Sequence, residues 1–259
     1  MSEALEEFRE KICGCEVSVK RKGKGETVLF LHGGRGAPAW LPFMEKLSNT
    51  FELYVPEHPG YGQSDVPEWL EKMEDIGYFY LEFIEHFKMQ EIHVVGSSIG
   101  AWVAAEMCIR NTTNVKSLVL VAPAGLSLQA QYGLDPFIST DDEFTINAFY
   151  NQKIAEGMVN QEVSEEAMEL NLKNKTTGAR LSWKPRIYSP QMEKWLFRIK
   201  IPTLIISGSH DNICPLEQSK LFNKLIESSR LAIIENCGHL PHVEKTEEYC
   251  DLITNFIME

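Results

Sequence analysis

The sequence predicts an α/β fold, a mostly parallel sheet with helices on both faces, and three observations carry that prediction. Short apolar segments alternate with amphipathic segments along most of the chain. The apolar segments are near-continuous runs, as expected of parallel strands covered on both faces. One of them, Ile92–Val95, leads into Gly96-Ser97-Ser98-Ile99-Gly100 and at once into a helical segment. That is G-x-S-x-G in a strand–turn–helix setting.

Taken in order, the residues before 25 supply one or two antiparallel strands at a sheet edge. ETVLFLH (26–32) is a strand, WLPFMEKLS (40–48) a helix with one apolar face, and FELYVPE (51–57) a strand. A helix over roughly 74–88 turns Tyr80, Phe83, Ile84 and Phe87 inward. The strand at 91–95 and the helix at 98–110 flank the serine, and VKSLVLVAP (115–123) is the next strand. Later come IPTLIISG (201–208), a helix near 216–227, SRLAIIENC (229–237) as a strand and a last helix near 245–257.

One stretch breaks the alternation. Between Pro123 and about Gln191 there is no buried strand, only polar helical segments at 141–158 and 164–175. A helical insert between two strands sits over their C-terminal ends, where open α/β sheets bind ligands. The expected organisation is a core of residues 1–123 and 191–259 carrying a cap at 124–190.

Composition narrows the function. With 259 residues and 44% hydrophobic content, the chain can bury one large core. The net charge of −12, from 25 basic against 37 acidic residues, argues against nucleic acid as a partner. No run of eighteen apolar residues exists to span a membrane, and the acidic start MSEALEEFREK is unlike a secretory signal, so a cytoplasmic location is expected. Cys13, Cys15, Cys108, Cys214, Cys237 and Cys250 form no paired C-x-x-C set, so reduced thiols rather than zinc ligands are expected. Cys237 stands two residues before His239 and is a candidate to touch a site there. Whether the chain forms a homo-oligomer stays open.

A serine in such a tight turn presents its hydroxyl above the sheet edge, and Gly96 and Gly100 let strand and helix approach. Ser98 is therefore the candidate nucleophile, but a hydroxyl needs a base, and the base an orienting acid. Asp211 follows the strand at 201–207 and His239 follows the strand at 230–234, so both emerge at the edge that carries Ser98. The order Ser98, Asp211, His239 is the one expected for such a sheet. The backbone N–H of Ile99 is one donor for a developing oxyanion. The second is assigned to Gly34 in LHGGRGAP, whose Gly33, Gly34 and Gly36 permit a tight turn. His93 reads as structural, His86 lies on a helix, and His32 and His58 lie in loops. His210 points away if Asp211 faces the site, and His242, in H-x-x-H with His239, lacks the spacing and carboxylates of a metal site.

With these residues in place, the sequence resembles the α/β-hydrolase superfamily from about Cys15 to the C-terminus. LHGG resembles its oxyanion loop, HPGYGQSD (58–65) a structural loop, and GSSIG the nucleophile elbow. PTLIISGSHDNICP resembles the acid strand and CGHLPHVEK the histidine loop. The resemblance implies an eight-stranded, mostly parallel sheet with a helical cap at 124–190. It also sets aside members with an aspartate nucleophile, since Ser98 holds that position. Carbon–carbon hydrolases of the superfamily typically carry tryptophan after the catalytic histidine, where this chain has Leu240. The expected activity is that of a serine carboxylesterase acting on a small ester, without metal or cofactor. A carbon–carbon or lactone hydrolase, and a ligand-binding receptor with a hydrolase-like pocket, are the alternatives. Trp40, Phe144 and Trp183 are the first candidates for pocket walls, with Trp102 and Phe137 behind them.

Overall fold

The computed structural model describes residues 4–259. Its strands are β1 (Glu6–Ile12), β2 (Cys15–Lys22), β3 (Thr27–Leu31), β4 (Glu52–Pro56), β5 (Ile92–Ser97), β6 (Val115–Val121), β7 (Thr203–Gly208) and β8 (Ser229–Ile234). The helices are α1 (Pro42–Ser48), α2 (Met73–His86), α3 (Ile99–Arg110), α4 (Ser127–Tyr132), α5 (Asp141–Ala148), α6 (Gln152–Val159), α7 (Glu165–Ser182), α8 (Met192–Trp195), α9 (Leu216–Leu225), α10 (Pro241–Glu244) and α11 (Thr246–Met258).

The eight strands form one sheet in the order β1-β2-β4-β3-β5-β6-β7-β8. β1 and β2 are joined by a two-residue turn, Cys13-Gly14, with φ of 52° and 76°, the positive values a tight hairpin requires. They are the antiparallel edge, and every pairing from β4 through β8 is parallel. The C-terminal ends of those strands therefore share one side of the molecule.

Each central strand feeds two cores, because successive side chains point to opposite faces. Leu29, Leu31, Val94, Leu118, Leu120 and Ile205 pack with residues of α2 and α3, such as Phe79, Phe83 and Val103. Val28, Phe30, Val95, Val119 and Ile206 pack on the other face with Phe43 and Leu47 of α1 and Tyr249 and Ile253 of α11. Burial on both faces explains why the strands read as unbroken apolar runs.

The strands expected to reach 123 and 237 stop at Val121 and Ile234. The remaining residues are loops at the functional edge. Between β6 and β7 the chain is helical, but the single helix expected over 141–158 is two. α5 starts at a Thr140–Glu143 capping box, and α6 starts at Asn151, whose side chain accepts from the Lys153 amide. α7 runs on to Ser182 instead of ending near 175.

This helical segment lies against the loops that leave β3 and β4. Asn174 accepts from the Gly62 amide at 2.8 Å and donates to the Arg35 carbonyl at 2.9 Å. Thr177 donates to the Gly60 carbonyl at 2.8 Å, and Lys173 to the carbonyls of Gly62 and Ser64, each at 2.7 Å. Asn174, Thr177 and Leu181 are buried and form one stripe of α7 at i, i+3, i+7. Among the described residues, no helix is long and apolar enough to cross a membrane.

Candidate active site

The turn from β5 to α3 is sharp. Ser98 has φ 57° and ψ −117°, a region a non-glycine residue enters at a cost of about 1–3 kcal/mol. A Cβ on Gly96 would stand 2.4 Å from the Gly100 carbonyl oxygen, and one on Gly100 would stand 2.1 Å from that of Leu31. Only glycine fits at either position. The turn is held from β6, since the Ser98 amide donates to the Val121 carbonyl at 2.8 Å. Ser98 is partly accessible, while Ser97 is 3% exposed.

The structure brings Ser98, Asp211 and His239 into one hydrogen-bonded chain. Ser98 Oγ lies 3.0 Å from His239 Nε2, and His239 Nδ1 lies 2.8 Å from Asp211 Oδ2. The other carboxylate oxygen, Oδ1, accepts from the amides of Ile213 and Cys214, each at 2.8 Å. Both residues are buried, Asp211 at 6% and His239 at 1% exposure. With Asp211 accepting from Nδ1–H, Nε2 is left free to accept the serine proton.

Ile99 is the first residue of α3, so its N–H has no intrahelical acceptor. Gly33 and Gly36 close a turn through a 3.0 Å hydrogen bond, with Gly34 and Arg35 at its corner. A Cβ on Gly33 would come 3.4 Å from the Ser98 Cβ, whereas one on Gly34 would meet nothing within 4 Å. The loop is clasped by two buried charged groups that sequence reading did not single out. Glu57 Oε1 accepts from the Ala37 amide at 3.0 Å, and Lys20 Nζ donates to the Ala37 carbonyl at 3.0 Å.

The histidines beneath the loop are neutral. His32 Nδ1 donates to the Gly33 carbonyl at 2.7 Å, and its Nε2 accepts from the His58 amide at 2.9 Å. Burial holds His32 below the ordinary imidazole range, and His58 well below it. His93 meets Ser117 on the neighbouring strand at 2.7 Å, and His86 lies beside exposed Glu10 at 3.3 Å. His210 packs against the Tyr150 ring at 4.5 Å. His242 sits 5.0 Å from the Phe43 ring and 5.9 Å from that of Tyr249, and burial, with His239 nearby, lowers it to about 4. Among the described residues, no group of three His, Cys, Asp or Glu side chains is placed to hold a metal ion.

The aromatic candidates separate. Phe144 lies edge-on to His239, ring centroids 6.4 Å apart. Trp183 is 55% exposed, stacked with Arg186 at 4.5 Å and near Phe137 at 5.7 Å. Trp40 donates to Glu45 at 2.9 Å on the α1 side, and Trp102 is buried in the core. Cys237 is buried in the α1/α11 core, its Sγ 3.7 Å from the Gly238 carbonyl oxygen. Cys13 is the exposed thiol, and all six cysteines are free.

A family model described as alpha/beta hydrolase fold matches residues 26–164 and 162–246. A 2-hydroxy-6-oxo-6-(2'-aminophenyl)hexa-2,4-dienoic acid hydrolase of Metapseudomonas resinovorans is 26% identical, over 94% of this chain and 88% of its own length. A proline iminopeptidase of Lactobacillus crispatus (strain ST1) is 25% identical over 92% of each chain. Among solved structures, a membrane phospholipase A described as a bacterial virulence factor shares the fold with a TM-score of 0.80. That match is 23% identical and covers 98% of this chain and 86% of the other.

Proposed function

The chain belongs to the alpha/beta hydrolase family, and from that premise we propose a serine hydrolase that cleaves a small carboxylic ester through an acyl-enzyme on Ser98. The observation that carries the reading is the unbroken contact from Ser98 Oγ through His239 to Asp211, at 3.0 and 2.8 Å. His239 takes the Ser98 proton as the hydroxyl attacks the carbonyl, then gives it to the departing alcohol. Asp211 holds the productive tautomer and stabilises the imidazolium. The amides of Ile99 and Gly34 receive the oxyanion. Water deprotonated by His239 then clears the acyl group, which restores the serine without a metal or cofactor.

In this reading the helical segment 124–190 is a cap, and it places Phe144 beside the base. The substrate is a small molecule rather than nucleic acid or a membrane, in keeping with the net charge of −12. A second reading, carbon–carbon hydrolysis with the same three residues, is favoured by the dienoic acid hydrolase relative. Leu240 directly after His239 weighs toward the ester. The deciding experiment is turnover of nitrophenyl esters of graded acyl length beside a dienoic ring-fission acid and a prolyl anilide. Ester cleavage with a burst of nitrophenol supports the first reading, and cleavage of the dienoic acid alone replaces it with the second.

A further inference from the structure

Arg35 occupies the corner of the turn that also presents Gly34, and it is exposed. Its guanidinium carbon stands 5.1 Å above the Phe144 ring, and that ring is in turn edge-on to His239. Nη2 donates to Thr145 Oγ1 at 2.7 Å, and the Arg35 carbonyl accepts from Asn174. Both anchors belong to the helical segment, so the cation is held between the glycine loop and the helices above it.

What the guanidinium lacks is a counter-charge. Arg9, Arg21, Arg110, Arg186 and Arg230 each pair with a carboxylate. Among the described residues Arg35 has no such partner. Asp141 attracts it only from a distance, and Asp141 is itself paired with Lys175 at 3.0 Å. Among the described residues Arg180 and Arg198 likewise form no ion pair with a carboxylate, and Arg35 differs from them in standing over the ring that lies edge-on to His239. A guanidinium carries five N–H donors in a planar fork, and one bond to Thr145 leaves most of them free for a carboxylate. Arg186, the other arginine beside the helical segment's aromatic residues, is not available in this way, because Asp135 already neutralises it.

We propose that Arg35 is a substrate-binding residue that receives a carboxylate, so that the preferred substrate is an ester bearing a second, anionic carboxyl group. This rests on the reading of Ser98 as the nucleophile and names the substrate class of that site. Phe144 lies under the guanidinium and edge-on to His239, Thr145 ties one guanidinium nitrogen, and Asn174 anchors the Arg35 backbone.

Two ester pairs test it: 4-nitrophenyl hemiglutarate against 4-nitrophenyl valerate, and 4-carboxy-2-nitrophenyl butyrate against its 4-methyl counterpart. The first places the carboxylate on the acyl side and the second on the leaving group. In the wild-type protein the anionic member of one pair is preferred, and the preference weakens as salt is raised. Arg35→Gln lowers the anionic-to-neutral ratio of kcat/KM by about 10- to 100-fold, and Arg35→Lys recovers part of it. A ratio unchanged in Arg35→Gln, or both members falling together, overturns the proposal and makes Arg35 a tie between loop and helices. Protection of Ser98 from a fluorophosphonate by glutarate, lost in Arg35→Gln, is the second readout. It decides the role of Arg35 even if no ester is turned over, an outcome that overturns the ester reading and not this one.

Discussion

The backbone amide of His239 donates to the carbonyl of Ala148 at 2.8 Å, which ties the proposed general base to the last residue of α5. The contact is close because Gly238 has no side chain. A Cβ there would stand 2.4 Å from the Ala148 carbonyl oxygen and 2.9 Å from the Phe149 Cα. Gly238→Ala therefore has to push the helical segment off the histidine loop. The expected cost is about 1–3 kcal/mol of stability, with a fall in kcat larger than the fall in melting temperature alone explains. Unchanged kcat would mean that α5 does not position His239.

Asp211 is locked in orientation. Its Oδ1 accepts from two amides, of Ile213 and Cys214, so an asparagine must keep its oxygen there and turn its NH2 toward His239. Nδ1 then has to accept, which places the proton on Nε2 and removes the base from Ser98. Asp211→Asn is expected to fold normally and to lose kcat on the order of 10⁴-fold. Near-normal turnover would show that another group sets the tautomer.

The sequence offers Phe144 and Trp183 alike as pocket walls, and their surroundings set them apart. Phe144 touches His239 and lies under Arg35, whereas Trp183 is exposed and stacked on Arg186. Phe144→Ala is expected to change the ratio of kcat/KM between short and long acyl esters at least several-fold. Trp183→Ala is expected to leave that ratio within about twofold. The reverse ranking would place the acyl pocket on the outer side of the helices.

Three buried histidines predict a loss of stability in acid. His32, His58 and His242 are held neutral in the folded chain by burial, and His242 is lowered to about 4. The unfolded chain binds their protons near pH 6.5, so below that value it holds more protons than the folded one. Stability is full above about 6.5 and is lost as pH falls toward the folded values, by at most about 1.4 kcal/mol per pH unit for each group. Melting temperature should drop between pH 7 and 5, and His242→Phe should shallow that slope. An unaltered slope in the variant would assign the acid sensitivity to other groups.

The parts of this molecule legible in its sequence are those where burial or covalent geometry leaves little choice. Parallel strands covered on both faces need runs such as VLFL and VLV, and the elbow needs Gly96 and Gly100, so these could be read directly. Residues just past strand ends, Asp211 and His239, followed from the shared direction of the strands. The break in the helical segment at Phe149–Asn151 and its extension to Ser182 did not follow, because α5 and α7 bury only a few residues each and carry weak periodicity. Glu57, Lys20 and Arg35 were missed for a different reason. Each acts through a partner fixed only by the fold: Ala37 for the first two, and Thr145, 110 residues along the chain, for Arg35.

The most direct test of the central claim is covalent labelling with a fluorophosphonate, read by peptide mass spectrometry alongside ester turnover. The expected result is one phosphonate on Ser98, none on buried Ser97, and loss of turnover in step with labelling. Ser98→Ala should then take no label and lose kcat on the order of 10⁴-fold or more, with its melting temperature unchanged. A label on Ser97, or ester turnover that survives in Ser98→Ala, would contradict the account.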